Sequence, residues 1–345
     1  MKGDKSLAHL NSPTDKTVND YLKQRLAKFL YKRGFALKHG SGTASSLLMG
    51  YEHLVQYDSE RKQLKLLHDA GFFSNCTVTL QNLTVLHPTE GHIEVIWPTQ
   101  KMWRNPNGSR ENLFNDYFKP THRSQAERMQ FVPRFDYHGF YEDLHFKNLN
   151  AYIRNYFNPS PFVEIRIQQF FEKYRICPDK TIGVCYRGTD KAIEVPAISP
   201  IRYLSEVKKL LKRHTDLRVL VQTDQKQVRD YFLSEIGPAA FYIEEMPVTC
   251  SSSAMHFATE KRISNFELGV NLLAAVKILS QLKYVVSHTG NVSLWIFLYR
   301  GSARNCCQLR PGAVDGVVSY DGDWSLWRSL ERWTRRMGFS RDKLH

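Results

Sequence analysis

In the second half of the chain two apolar patterns take turns. Runs of consecutive, mostly apolar residues fall at 181–186, 218–222, 240–243 and 284–287, the length and composition of buried parallel strands. Between and after them, apolar residues recur at helical spacing over 200–213, 225–235, 265–282 and 291–300. Ser264, with Glu267 three residues on, forms a capping box for the helix at 265–282. This alternation predicts an α/β fold built on a doubly wound parallel sheet.

The first half is less regular. Val18, Tyr21, Leu22, Leu26 and Leu30 predict an amphipathic helix, followed by a strand at 34–38, a glycine loop at 39–43 and a helical run from Ala44 to about Tyr57. Strand, glycine-bearing loop and helix in that order form the first turn of a nucleotide-binding βαβ unit, in which Gly40 and Gly42 let the backbone approach a ligand. A further strand is predicted at 92–97, leading into an aromatic loop segment at 103–118. The aromatic and basic stretch at 123–145 carries no period that assigns it. Helices at 148–156 and 162–174 bring the chain to a boundary near 160–178, where Pro159, Pro161 and Pro178 cluster. Near the C-terminus, a helix at 324–337 gathers Leu326, Leu330, Trp333 and Met337 on one face, with Arg328, Arg332, Arg335 and Arg336 largely elsewhere. Its default role is to pack on the core with a solvated basic face; the alternative is contact with a membrane surface.

Composition narrows the classes. The 345 residues suffice for two domains. The apolar runs are too short to span a membrane and the polar N-terminus lacks a signal-peptide core, so the chain is expected in the cytosol. Six scattered cysteines without a CxxC pair read as free thiols, and structural zinc is not expected. A net charge of +14 favours an anionic partner, but the basic residues are dispersed and no nucleic-acid module is present. No nucleic-acid partner is therefore expected, and oligomeric state is not legible.

Three of the strands end in polar clusters. They are Arg187-Gly188-Thr189-Asp190-Lys191 after Cys185 and Tyr186, then Thr223-Asp224-Gln225, then Ser287-His288-Thr289-Gly290-Asn291. Ligands of open parallel sheets bind outside the carboxyl ends of the strands, so the clusters are expected to converge on one site. Arg187, beside a glycine turn, suits a diphosphate; the plain alternative is a surface pair with Asp190. Lys191 and Glu194, three residues apart, suit a general base held by a lysine, or else an exposed ion pair. The small hydroxyls and the amide of Asn291 suit phosphate oxygens, or else helix N-caps. Asp321-Gly322-Asp323 matches a metal-holding DxD pattern, but its place beyond the sheet favours a turn.

The clusters resemble the three sequence motifs of the superfamily containing α1,6-fucosyltransferases, the rhizobial NodZ proteins and the protein O-fucosyltransferases. Residues 182–191 look like that family's strand ending in R-R-T-D-K, residues 219–224 like its strand ending in T-D, and residues 279–287 like its L-S-Q helix end and following strand. The resemblance covers roughly residues 180–300, with a looser likeness at 39–43 and 112–118. It implies a GT-B fold, with two Rossmann-like domains facing a cleft. The division would be an N-terminal helical segment (1–30), an acceptor-side domain (31–175), a donor domain (176–323) and a C-terminal helix (324–345). It further implies inverting, metal-independent transfer of fucose from GDP-fucose, without a cofactor, to a hydroxyl of a glycan acceptor. Arg187 would bind the diphosphate, and Thr223, Asp224, Ser287 and Thr289 would line the donor site. The chain departs from the family in having Cys185 for a histidine, Gly188 for a second arginine, Ala275 near a guanine-reading aspartate, and Glu194 one residue nearer the lysine than the family's base. Two alternatives follow: the same fold with another nucleotide sugar, and a non-catalytic member that binds glycan or nucleotide.

Overall fold

A computed structural model describes residues 52–98, 101–106, 112–121, 129–188, 198–251, 253–259, 261–310 and 316–317. The predicted helix at 18–30, strand at 34–38, glycine loop with Gly40 and Gly42, DxD turn and helix at 324–337 lie outside these residues. So does most of the helix expected from Ala44. Its final part is corrected: a 3-10 turn at Glu52–Leu54 leads into a strand, β1 (Val55–Asp58), instead of continuing as helix. Strand propensity and pairing decide this, because Val55–Asp58 pairs antiparallel with β2 (Gln63–Leu66). A third strand, β3 (Glu94–Ile96), lies parallel to β2 within the segment expected at 92–97.

Between β2 and β3 runs a 19-residue helix, α1 (Phe72–Glu90), which carries no periodic signal in the sequence. It is buried nearly all round, including Asn75, Thr77, Thr79, Gln81, Asn82 and Thr84. Buried polar groups need partners. Several of these bond back along the helix: Thr77 to the Phe73 carbonyl, Thr79 to that of Asn75, and Asn82 to that of Val78. A short helix, α2 (Phe114–Tyr117), then leads to α3 (Phe146–Tyr156) and α4 (Pro161–Lys173), close to the helices expected at 148–156 and 162–174.

The second half follows its hydrophobic pattern closely. Strands β4 (Thr181–Tyr186), β5 (Arg218–Thr223), β6 (Ala240–Phe241), β7 (Tyr284–His288), β8 (Cys306–Leu309) and β9 (Gly316–Val317) form a six-stranded sheet in the order β6-β5-β4-β7-β8-β9. All neighbours are parallel except β8 and β9. Counted from β4, this is the 3-2-1-4-5-6 order of a Rossmann sheet, whose switch point lies between β4 and β7. Strand alternation divides the side chains between two faces. Ile182, Val184, Val219, Val221 and Val286 join one cluster with α5 (Pro200–Arg213) and α6 (Lys226–Ile236). Cys185, Leu220 and Val285 join another with α7 (Asn265–Gln281) and α8 (Asn291–Arg300). The capping box expected at Ser264 and Glu267 is present at the start of α7. The second cluster also takes in α1, α3 and α4, so one continuous core joins the two halves.

Two stability effects arise here. Gly269 on α7 permits close packing against the first half: a Cβ at this position would lie 2.8 Å from the Tyr117 hydroxyl and 3.2 Å from the Trp103 ring. Gly269→Val is therefore expected to cost about 2–3 kcal/mol by overpacking, read as a shift in urea midpoint. His87, buried on α1 between Tyr152 and Tyr156, is pushed by desolvation from 6.5 down to about 4. Between those values the unfolded chain binds a proton that the folded chain does not. Stability should accordingly fall as pH drops from about 6.5 to about 4, and His87→Phe should flatten that part of the melting-temperature profile.

Candidate active site

A cavity of about 670 Å³ opens at the carboxyl ends of β4, β5 and β7, where the sheet changes winding direction. Its floor brings together Cys185, Tyr186 and Arg187 from β4, Gln222, Thr223 and Asp224 from β5, and His288 with Gly290 and Asn291 from the end of β7. The opposite wall comes from the first half through the Asp69–Ser74 stretch, Met102, Trp103 and Tyr137.

Arg187 and Asp224 are its electrostatic centre. The Arg187 Nε lies 2.9 Å from the Asp224 carboxylate; the side chains are 21% and 7% exposed. The other Asp224 oxygen accepts from the Gly188 backbone N–H at 3.1 Å. Parallel register explains the pairing, because Tyr186 and Thr223 are direct partners and the residues after each emerge side by side. Thr189, Asp190, Lys191 and Glu194 all lie outside the described residues, and with them the alternative pair of Arg187 with Asp190. Gly188 is required for space: a Cβ there would collide with the Gln225 side chain and come within 2.6 Å of the Tyr186 ring. Burial pushes the Cys185 thiol up to about 12, outweighing the nearby Arg187, so Cys185 is a neutral wall residue and not a nucleophile.

The third cluster is held by an element the sequence left unassigned. The Tyr141 hydroxyl accepts from the Gly290 N–H at 2.7 Å and lies 2.9 Å from the Gly290 carbonyl. Gln308 on β8 anchors this segment by accepting from the Tyr141 N–H and donating to the Gly139 carbonyl. Gly290 adopts φ 152° and ψ 165°, a conformation essentially confined to glycine, and serves as the N-cap of α8 without a side-chain cap. Ser287 and Thr289 are therefore not spent as caps. Both are buried, their hydroxyls have no hydrogen-bond partner among the described residues, and neither lines the cavity. Asn291 accepts from Thr77 of α1 at 2.8 Å, while Thr77 accepts from the Trp295 indole, tying the α8 N-terminus to the first half. His288, 6% exposed, packs beside the Tyr186 and Tyr203 rings. Thr223 accepts from the Gln225 N–H at 3.2 Å and tightens the turn after β5.

The site can thus present one cationic fork and an uncapped helix N-terminus to an anion at the switch point. Part of its lining is apolar, from Met246, Met255, Leu268 and Leu272. Sequence reasoning missed that part, although the Ser-rich loop after β6 follows the same rule that located the other three clusters. It also missed the wall at Asp69–Ser74, which depends on recognising α1. Among the described residues, no group of three or more His, Cys, Asp or Glu is placed to hold a metal ion. Among the same residues, no helix is long and apolar enough to cross a membrane.

No family model matches the sequence, and no curated protein is similar to it. Solved structures similar to the chain include NodZ α-1,6-fucosyltransferase soaked with GDP-fucose, at 14% identity and a TM-score of 0.46, over 72% of this chain and 97% of that one. The NodZ structure from Bradyrhizobium gives 14% identity and 0.44, over 72% and 96%. POFUT1 in complex with GDP gives 11% identity and 0.34, over 48% and 52%.

Proposed function

We propose that the chain is a glycosyltransferase that moves a sugar from a nucleotide diphosphate sugar to a glycan hydroxyl, with GDP-fucose as donor. The carrying observation is the interlocked Arg187 and Asp224 at the Rossmann switch point, facing a cavity that the α8 N-terminus also enters. The donor identity comes from the motif resemblance at residues 182–191, 219–224 and 279–287.

In this reading, Asp224 fixes the guanidinium so that its remaining N–H groups meet the diphosphate without reorganisation. As the bond from the anomeric carbon to the phosphate oxygen breaks, the nucleotide diphosphate leaves with the electron pair. Arg187 and the α8 amides meet that charge, so the reaction needs neither a metal nor a cofactor. The acceptor oxygen bonds to the anomeric carbon from the opposite side, inverting it. Its proton passes to a carboxylate, for which Glu194, held by Lys191, is the candidate. Thr189, Asp190, Gly40 and Gly42 are proposed as further donor contacts.

Two observations support specific variants. Ala275 is fully buried in α7 and does not line the cavity, which leaves no guanine reader at that position and favours another base. The Arg187 charge is also balanced by an adjacent buried carboxylate, which favours a nucleotide-binding member without turnover. One screen separates these readings. The full chain is incubated with a panel of glycan acceptors and GDP-fucose, other GDP-sugars or UDP-sugars in the presence of EDTA, and release of the nucleotide diphosphate is followed. Release from GDP-fucose is expected. Release from a UDP-sugar alone would retain the transferase and discard fucose, and no release from any donor would refute the enzyme.

A further inference from the structure

Phe257 stands at the mouth of this cavity and is 66% exposed, although the residues on either side of its turn are buried. Ala254, Met255 and Ala258 are 7%, 6% and 4% exposed. The ring is not out because its backbone is loose. The 3-10 turn Met255–Phe257 is closed by Phe257 N–H to the Ala254 carbonyl at 2.9 Å and Ala258 N–H to the Met255 carbonyl at 3.1 Å. The Lys261 ammonium clamps the same turn, donating to the His256 and Ala258 carbonyls at 3.1 and 2.9 Å. Behind the ring, the His256 imidazole lies 4.2 Å from its centroid and in turn leans on Trp103 at 5.7 Å.

Burying a phenylalanine is favourable, and here that gain is forgone on a rigid support. The cavity that Phe257 lines also carries the polar side chains of Ser253, His256 and Asp69. A flat apolar surface bordered by hydroxyl, imidazole and carboxylate complements a ligand with an apolar face and a polar edge, which describes a pyranose ring.

Resting on the function proposed above, we infer that Phe257 is the acceptor platform: a sugar ring of the glycan stacks its C–H face on it while its hydroxyls meet the polar rim. The acceptor is then a carbohydrate, and Phe257 positions it without touching the reacting diphosphate.

The test uses the full chain as wild type, Phe257→Ala and Phe257→Trp, applied to a printed glycan array, with nucleotide-induced melting shifts measured on the same preparations. Wild type and Phe257→Trp should be retained on the same glycans, Phe257→Ala should lose about tenfold in signal or more, and all three should give equal nucleotide shifts. The inference is overturned if wild type is retained on no glycan, if Phe257→Ala binds as wild type does, or if Phe257→Ala also loses the nucleotide shift. The underlying reading fails separately, when no nucleotide sugar is consumed.

Discussion

Replacing Arg187 by alanine is expected to lower turnover by about 10²–10³-fold or more while leaving the sheet intact. The guanidinium lies at the end of a fully buried strand, next to a glycine turn, and the Asp224 carboxylate holds it in place at 2.9 Å. Removing it takes away the described cation on the cavity floor that can fork onto a diphosphate. Asp224 keeps its bond from the Gly188 N–H, so folding should lose only about 1–3 kcal/mol from the unpaired carboxylate. The loss should fall on both KM and kcat, because Arg187 holds the diphosphate in the bound donor and meets further charge as the nucleotide leaves. Arg187→Lys should recover little, since an ammonium cannot reproduce the fork. Steady-state kinetics beside a melting curve separates these effects, and near-normal turnover in Arg187→Ala would end the assigned role.

The largest stability effect is expected at Trp295. Its indole is fully buried on α8 and donates to Thr77 of α1 at 3.0 Å. Its ring packs on Phe73 of α1 at 5.6 Å and on Phe157, just past α3, at 4.8 Å. Trp295→Ala opens a cavity where the helices of the first half meet the sheet's own helix, at an expected cost of about 3–5 kcal/mol. Against the 5–15 kcal/mol typical of folded proteins, that is a large share. Because Thr77 also bonds Asn291, the α8 N-terminus should loosen as well, and nucleotide binding should weaken along with stability. Denaturant titration followed by circular dichroism measures the first effect; a cost below about 1 kcal/mol would mean the two halves are not held together here.

The parts of the fold that were legible share a physical cause. A parallel sheet is buried on both faces, so β4 and β5 show up as continuous apolar runs, and their polar ends mark where burial stops. Arg187, Thr223, Asp224 and His288 line the cavity at the strand ends, where that rule places them. Helix α1 was invisible for the opposite reason. Burial on all sides removes the stripe that marks a helix, and its threonines and asparagines look like loop residues until their bonds to the preceding turn are seen. Gly71 before it and Gly91 after it, the latter at φ 78°, bracket the helix and were the available signal. The stretch around Tyr141 shows no period because it adopts none, and docks through single bonds onto Gly290 and Gln308. The interlock of Arg187 with Asp224 depended on strand register, and apolar runs leave register between distant strands unstated.

The central claim is that this cavity receives a nucleotide diphosphate against Arg187. Its most direct test is a thermal-shift titration of wild type and Arg187→Ala with GDP, UDP, ADP and CMP, with and without EDTA. Saturating ligand at about 100 times its Kd adds about 2.7 kcal/mol to stability, enough to read as a clear rise in Tm. The account predicts a rise with GDP that EDTA does not alter and that Arg187→Ala abolishes. A wild-type chain whose Tm responds to none of these nucleotides, or a shift that survives unchanged in Arg187→Ala, would contradict it.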